Sequence, residues 1–115
     1  MSTSPDTATF ILDQLSDLGP LVRVRSMFGE YALYCGDKTV GFICDDQLFI
    51  KITDPGRKLM GDDYEEGAPY PGAKPYILVG DSILENRDRL VELIRVTEAV
   101  VPLPKPKRVR SPRKR

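Results

Sequence analysis

The 115-residue sequence predicts an α+β fold, a two-layer sandwich in which a mainly antiparallel sheet of about five strands is flanked by an N-terminal and a C-terminal helix. Three observations predict it. Apolar residues recur at helical spacing near both ends of residues 1–104, short apolar strands crowd residues 21–52, and the connections between those strands are short enough for hairpins.

Taken in order, Ser4 is a candidate N-cap with Pro5 at the first helical position, and Ala8, Ile11, Leu12, Leu15 and Leu18 form one stripe closed by Gly19 and Pro20. "LVRVRS" then sets Val22 and Val24 against Arg23 and Arg25, as a half-buried strand does. "EYALYC", "TVGFIC" and "QLFIKI" follow as strands joined by "GDK" and "DD". If Asp45 and Asp46 make a two-residue turn, Cys44 pairs with Gln47, Phe42 with Phe49 and Val40 with Lys51, each pair sharing a face. A two-residue turn within "GDK" adds Tyr31, Leu33 and Cys35 to that face. It leaves Ala32, Tyr34, Gly41, Ile43, Leu48, Ile50 and Ile52 on the other. Both faces are largely apolar, so helices on one leave the second to be covered. Two expectations follow: a homodimer or partner contact through that face, or cover by the long Tyr-bearing loop. The same register holds Cys35 and Cys44 roughly 13 Å or more apart, beyond the about 7 Å that a disulfide spans between Cα atoms. Two free, packed thiols are expected.

From Thr53 to Pro75 the composition shifts to Gly, Pro and acids, with one helical turn at "DPGRKLM" and with Tyr64, Tyr70 and Tyr76 as candidates to pin the loop. "YILVG" is a further strand. Asn86 caps a helix from Arg87 to Val101 that turns Leu90, Leu93, Ile94, Thr97 and Val101 inward, and Pro102, Pro104 and Pro106 stop it. The domain organisation is therefore an α+β domain over 1–104 and a basic tail over 105–115, expected to be disordered.

The formal net charge of zero conceals opposite halves: residues 1–104 carry a net −7 and residues 105–115 a net +7. Lys105, Lys107, Arg108, Arg110, Arg113, Lys114 and Arg115 are candidate nucleic-acid-binding residues, since cations that displace counterions from phosphates bind without sequence preference. "SPRK", at Ser111 to Lys114, suits the narrow minor groove of A-tracts. The acidic domain opposes such binding unless the prolines hold it away. No run reaches the roughly 18 apolar residues of a membrane span, and no basic segment leads an apolar one at the N-terminus. A soluble, cytoplasmic protein without a membrane partner is expected.

Catalytic chemistry has little to work with. The chain has no histidine, no "GxSxG" elbow and no "GxxxxGK" loop, so neither Cys35 nor any serine has a recognisable activating base. Zinc would need carboxylates to complete a site begun by two cysteines. Asp45 and Asp46 are hard oxygen ligands in principle, but two acids between strands suit a turn. No catalytic residue, metal or cofactor is expected.

"RSMFGEYALYCGDKTVGFICDDQLFIK", followed by "PYPGAKPYILV" and the Asn-capped helix, resembles the N-terminal domain of the TfoX/Sxy competence regulators and their single-domain relatives, from about Phe10 to Val101. The matching pattern falls on Arg25, Met27, Phe28, Gly29, Ala32, Leu33, Tyr34, Leu48, Phe49 and Lys51. The resemblance implies a bacterial, non-enzymatic transcription regulator that acts with a protein partner of the activator kind. Arg25, Met27, Phe28, Gly29, Tyr34, Phe49 and Lys51 become candidate interaction residues. Longer regulators of this family carry a second domain resembling helix-hairpin-helix modules; here the prolines and the basic tail stand in its place. Each motif residue also has a plainer reading. Arg25 and Lys51 form either a positive pair for a partner's acid or phosphate, or solvated strand residues with local ion pairs. Phe28 is either a recognition knuckle or a core filler where Gly29 kinks the chain. The alternatives for the whole chain are a protein-binding module with no nucleic-acid role and, third, a small enzyme.

Overall fold

The computed structural model describes residues 4–27 and 30–102, and its elements begin where their first residues supply caps. Ser4 accepts a hydrogen bond from the Asp6 amide and starts helix α1 (Pro5–Gln14), with proline in the first turn. A 3-10 segment over Ser16–Leu21 follows, and Gly19, at φ +63, takes the backbone conformation that redirects the chain into β1 (Val22–Met27). Strands β2 (Glu30–Cys35), β3 (Lys38–Cys44) and β4 (Gln47–Ile50) come next. Asp45 and Asp46 turn β3 into β4 with φ of 53 and 60, the positive pair that a type I′ hairpin needs and that aspartate tolerates.

The stretch after Thr53 holds more regular structure than one helical turn. The Thr53 hydroxyl accepts from the Gly56 amide at 3.0 Å and caps the seven-residue α2 (Asp54–Met60). A two-residue strand β5 (Glu66–Gly67) then pairs with β6 (Tyr76–Val79), and α3 (Asp81–Leu84) precedes α4 (Arg87–Val100), whose cap is Asn86. Arg89 ties this region to α4: its guanidinium donates to Asp63 and to the Leu59 carbonyl, each at 2.9 Å. Tyr64 packs beside the core and Tyr76 lies in the sheet, whereas Tyr70 is 56% exposed.

The sheet has six antiparallel strands in the order β1-β2-β3-β4-β6-β5. The α+β two-layer architecture is as the sequence predicts. The strand beyond the expected five is β5, too short to leave a periodic signal. One face carries the core: Ala8 and Ile11 of α1, the C-cap Leu15, and Leu90, Leu93 and Ile94 of α4 pack on Leu33, Ile43, Leu48, Ile50 and Ile77, all buried. Thr97, fully buried, donates its hydroxyl proton to the Leu93 carbonyl at 2.7 Å, which satisfies it inside the helix. Among the described residues, no helix is long and apolar enough to cross a membrane.

The register corrects one expectation. Cys44 pairs with Gln47 and Phe42 with Phe49 as predicted, and the Lys51 amide bonds to the Val40 carbonyl at 2.9 Å. Across the first hairpin, Cys35 meets Lys38 and Tyr34 meets Thr39, but the next pair is Leu33 with Gly41. Val40 is an extra residue, a β-bulge. Beyond it Tyr31 opposes Ile43 and Ala32 opposes Phe42. Tyr31, Leu33, Cys35 and Val40 therefore belong to the helix-covered face, and Ala32 and Tyr34 join Phe42 and Phe49 outside, the reverse of the expected assignment for β2. Counting from a turn carries a face assignment only as far as the first insertion, because one residue of slip exchanges the faces. Cys35 and Cys44 end on opposite faces, both free and buried.

The outer face is partly covered by the chain itself. Ala32, Cys44 and Phe49 are only 2%, 4% and 3% exposed. Gly67 lies so close over Phe49 that a Cβ there would stand 3.3 Å from the ring, and Tyr76 meets Phe42 edge-on at 5.6 Å between centroids. The long loop is thus one occupant of this face.

Gly41 is the residue that the bulge requires to be small. A Cβ at this position would overlap the Phe49 carbonyl oxygen and press on Ile50. Gly41→Ala is expected to cost about 3 kcal/mol or more of unfolding free energy, as overpacking against backbone does. Gly80→Ala, with open space around it, is expected to cost less than about 1 kcal/mol. Urea midpoints of the two variants measure the contrast, and equal midpoints would remove the bulge from its structural role.

A cationic and aromatic candidate interaction face

Strand pairing carries residues across the sheet in rows. Arg25, Ala32, Phe42, Phe49 and Leu78 form one row of the outer face. Arg23, Tyr34 and Thr39 begin the next, and Lys51 continues it beside the bulge. The bulge thereby brings Arg25, Tyr34, Phe49 and Lys51 to a single face, although they sit on three strands at unequal spacings. Met27 closes β1 opposite Glu30. Phe28 and Gly29 lie outside the described residues, as do Lys105, Lys107, Arg108, Arg110, Arg113, Lys114 and Arg115.

Each exposed group of this face is positioned locally. Arg23 stands with its guanidinium 4.9 Å from the Tyr34 ring centroid and donates to the Gly36 carbonyl at 2.9 Å, so the cation and the ring brace one another. Arg25 is exposed on the edge strand. Lys51 is half-buried in a cleft of about 290 Å³ that it shares with Ile52, Lys74, Pro75 and Tyr76. Burial first, and the Lys74 charge second, push the Lys51 ammonium below its ordinary value of 10.5. Three strand spacings, roughly 14 Å, separate Arg25 from Lys51. They do not form one pair; Lys51 is paired with Lys74 instead. Among the described residues, neither Arg25 nor Lys51 makes an ion pair, and the salt bridges that form involve α4 or its neighbours: Lys38–Glu98, Arg87–Asp13, Arg87–Asp17 and Arg89–Asp63.

Arg23 and Lys74 were not among the residues singled out by sequence. The alternation of "VRVR" already places Arg23 beside Arg25, a usable signal. Lys74 gives none, since only the return of the chain into β6 brings it to Lys51.

At the other end of the face, the acids serve the turn. The Asp45 amide donates to Glu30 Oε1 at 3.1 Å, while Asp46 Oδ1 accepts from the Ser4 amide at 2.7 Å and the Thr7 hydroxyl at 2.9 Å. Asp46 therefore ties the hairpin to the start of α1. Among the described residues, no group of three or more His, Cys, Asp or Glu is placed to hold a metal ion.

A family model described as the TfoX N-terminal domain matches residues 13–100. An uncharacterized 12.7 kDa protein in the trpE 5′ region of Spirochaeta aurantia is 46% identical over 113 residues, covering 96% of this chain and 94% of that protein.

Burial raises both thiols above the ordinary 9.0, helped by Glu98 at Cys35 and by Glu30 at Cys44. Thiolate, the reactive form, is therefore scarce at neutral pH. Both cysteines are expected to react with a thiol reagent at least about tenfold more slowly in the native chain than in denaturant. The linkage sign is fixed by the same shift. As pH rises past about 9 the unfolded chain loses its thiol protons first, so stability present at neutral pH declines. The urea midpoint should fall between about pH 8 and pH 10, and fall less in Cys35→Ala, whereas equal declines in the two proteins would refute the assignment.

Proposed function

The chain belongs to the TfoX N-terminal domain family, and on that premise we propose that it is a non-enzymatic regulatory domain that docks a protein partner on its outer sheet face. The observation that carries this reading is the gathering of Arg25, Tyr34, Phe49 and Lys51 on that face by a single bulge. Arginine and tyrosine at the rim of a buried aromatic patch are the residue types that dominate binding energy at protein interfaces. Among the described residues, Arg25 and Lys51 have no carboxylate partner, and they suit an acidic surface, such as one presented by a transcription activator. A second copy of the chain is the other occupant of this surface. Catalysis is not part of the proposal, because the two thiols are packed and protonated and the exposed groups bind charge without offering an activated nucleophile.

Contact with DNA is assigned to residues 105–115 alone. The domain of residues 1–104 has a net charge of −7, which as a whole opposes approach to the DNA polyanion, while the tail has +7. The tail would then hold DNA without selecting a sequence, and selection would come from the partner.

Transcript profiles test the proposal in the encoding organism. Deleting the gene is expected to change a set of transcripts that the wild-type chain restores and the Arg25→Glu/Lys51→Glu double variant does not, at unchanged thermal midpoint. A deletion without transcriptional effect would sink the regulatory reading. In vitro, full-length protein should bind a duplex with a log–log salt slope of up to about −6 that disappears in a 1–104 chain. If neither protein binds at about 50 mM salt, the tail has no nucleic-acid role and the chain is a protein-binding module. Sedimentation of the wild type and the double variant separates a second copy from a different partner.

A further inference from the structure

The cleft between the end of β4 and the loop entering β6 has an unbalanced charge. Lys51 and Lys74 both line it, with Ile52, Pro75 and Tyr76 completing the walls. Two ammonium groups in one concavity repel one another, and partial burial of Lys51 removes the water that would screen them. Elsewhere the fold answers such a charge. Lys38, also half-buried, has the Glu98 carboxylate at 3.4 Å and the Glu98 carbonyl at 2.8 Å. Among the described residues, no carboxylate lies within ion-pair reach of Lys51 or Lys74.

The cleft is also held in shape. The Lys51 amide is bonded to the Val40 carbonyl at 2.9 Å, Tyr76 is the first residue of β6, and its ring is fixed edge-on against Phe42. Pro75 sets the backbone just before that strand. Residues bearing two cations, together with Ile52, Pro75 and Tyr76, thus surround about 290 Å³.

We infer that this cleft binds a phosphoryl dianion, either a phosphate monoester or free phosphate. A dianion matches the two lysines charge for charge, and its oxygens accept charge-assisted hydrogen bonds from both. Above its second pKa of about 6 a monoester carries the required charge. A carboxylate or a phosphodiester brings only one. Pro75, exposed at the cleft wall, offers apolar contact to the carbon portion of an ester. The downward displacement of the Lys51 ammonium has the sign expected of a site that lacks its counter-charge. This inference shares Lys51 with the partner reading but is tested on the purified chain with a small anion, so the two can fail separately.

The test is a heteronuclear NMR titration of the full chain with inorganic phosphate, O-phosphoserine and serine at constant ionic strength and neutral pH. Saturable shifts at the Ile52, Lys74 and Tyr76 amides are expected with the phosphorylated probes and not with serine. Tighter binding of O-phosphoserine identifies an ester as the ligand, and tighter binding of phosphate identifies the free ion. Lys51→Gln and Lys74→Gln should each weaken binding roughly tenfold, the loss of one charged hydrogen bond. Lys58→Gln, on the exposed side of α2, should leave it unchanged. Lys74 is on an exposed loop position, so its variant carries the comparison if Lys51→Gln does not fold. Absence of saturation below about 10 mM, or wild-type affinity in Lys74→Gln, would overturn the inference. Either result leaves the effect of deleting the gene, which tests the regulatory reading, unchanged.

Discussion

The extra residue at Val40 is the constraint on which the rest of this molecule depends. By inserting one residue opposite the Leu33–Tyr34 step, it turns Val40 into the helix-covered core and sets β2 out of phase with the simple hairpin count. Gly41 makes this arrangement feasible, because the strand crosses the Phe49 carbonyl with no room for a side chain. The consequence reaches beyond packing. With the bulge, Tyr34 and Arg25 share a face with Phe49 and Lys51; in the unbulged register Tyr34 would point under the helices.

The two faces of the sheet are finished in different ways. The inner face is a conventional core, with α1 and α4 supplying aliphatic side chains to a continuous aliphatic sheet surface. The outer face is closed over Phe49 by the chain's own loop, and the region around Arg23, Arg25, Tyr34 and Lys51 carries positive charge on an otherwise acidic domain. Opposite charge within one small domain would orient it toward the proposed acidic partner. The phosphoryl cleft lies at the margin of this region, so an anion bound there would change the charge that a docking partner meets.

Much of the fold was legible because its signals are local. Ser4 and Asn86 bring their own oxygen atoms to amides two or three residues away, and Pro5 and Gly19 need only their own backbone preferences. The Asp45-Asp46 turn and the pairs next to it follow from the same proximity, as does the separation of the two cysteines. The family was legible for another reason: an ordered set of small motifs persists in sequence whatever faces those residues occupy.

What the sequence by itself determined, then, is the order of the two long helices and the five longer strands, the caps at Ser4 and Asn86, the pairs next to the second hairpin's turn and the membership of the TfoX N-terminal domain family. Tertiary structure alone decided which face β2 presents, that Gly67 lies against the Phe49 ring, and that Lys74 stands beside Lys51. The period-2 pattern of a strand states that alternate residues differ in face but not which face is inner, and a bulge resets that choice without a compositional mark. A contact between β4 and the loop before β6 is set by the closure of the chain around its core, which no window of neighbouring residues contains.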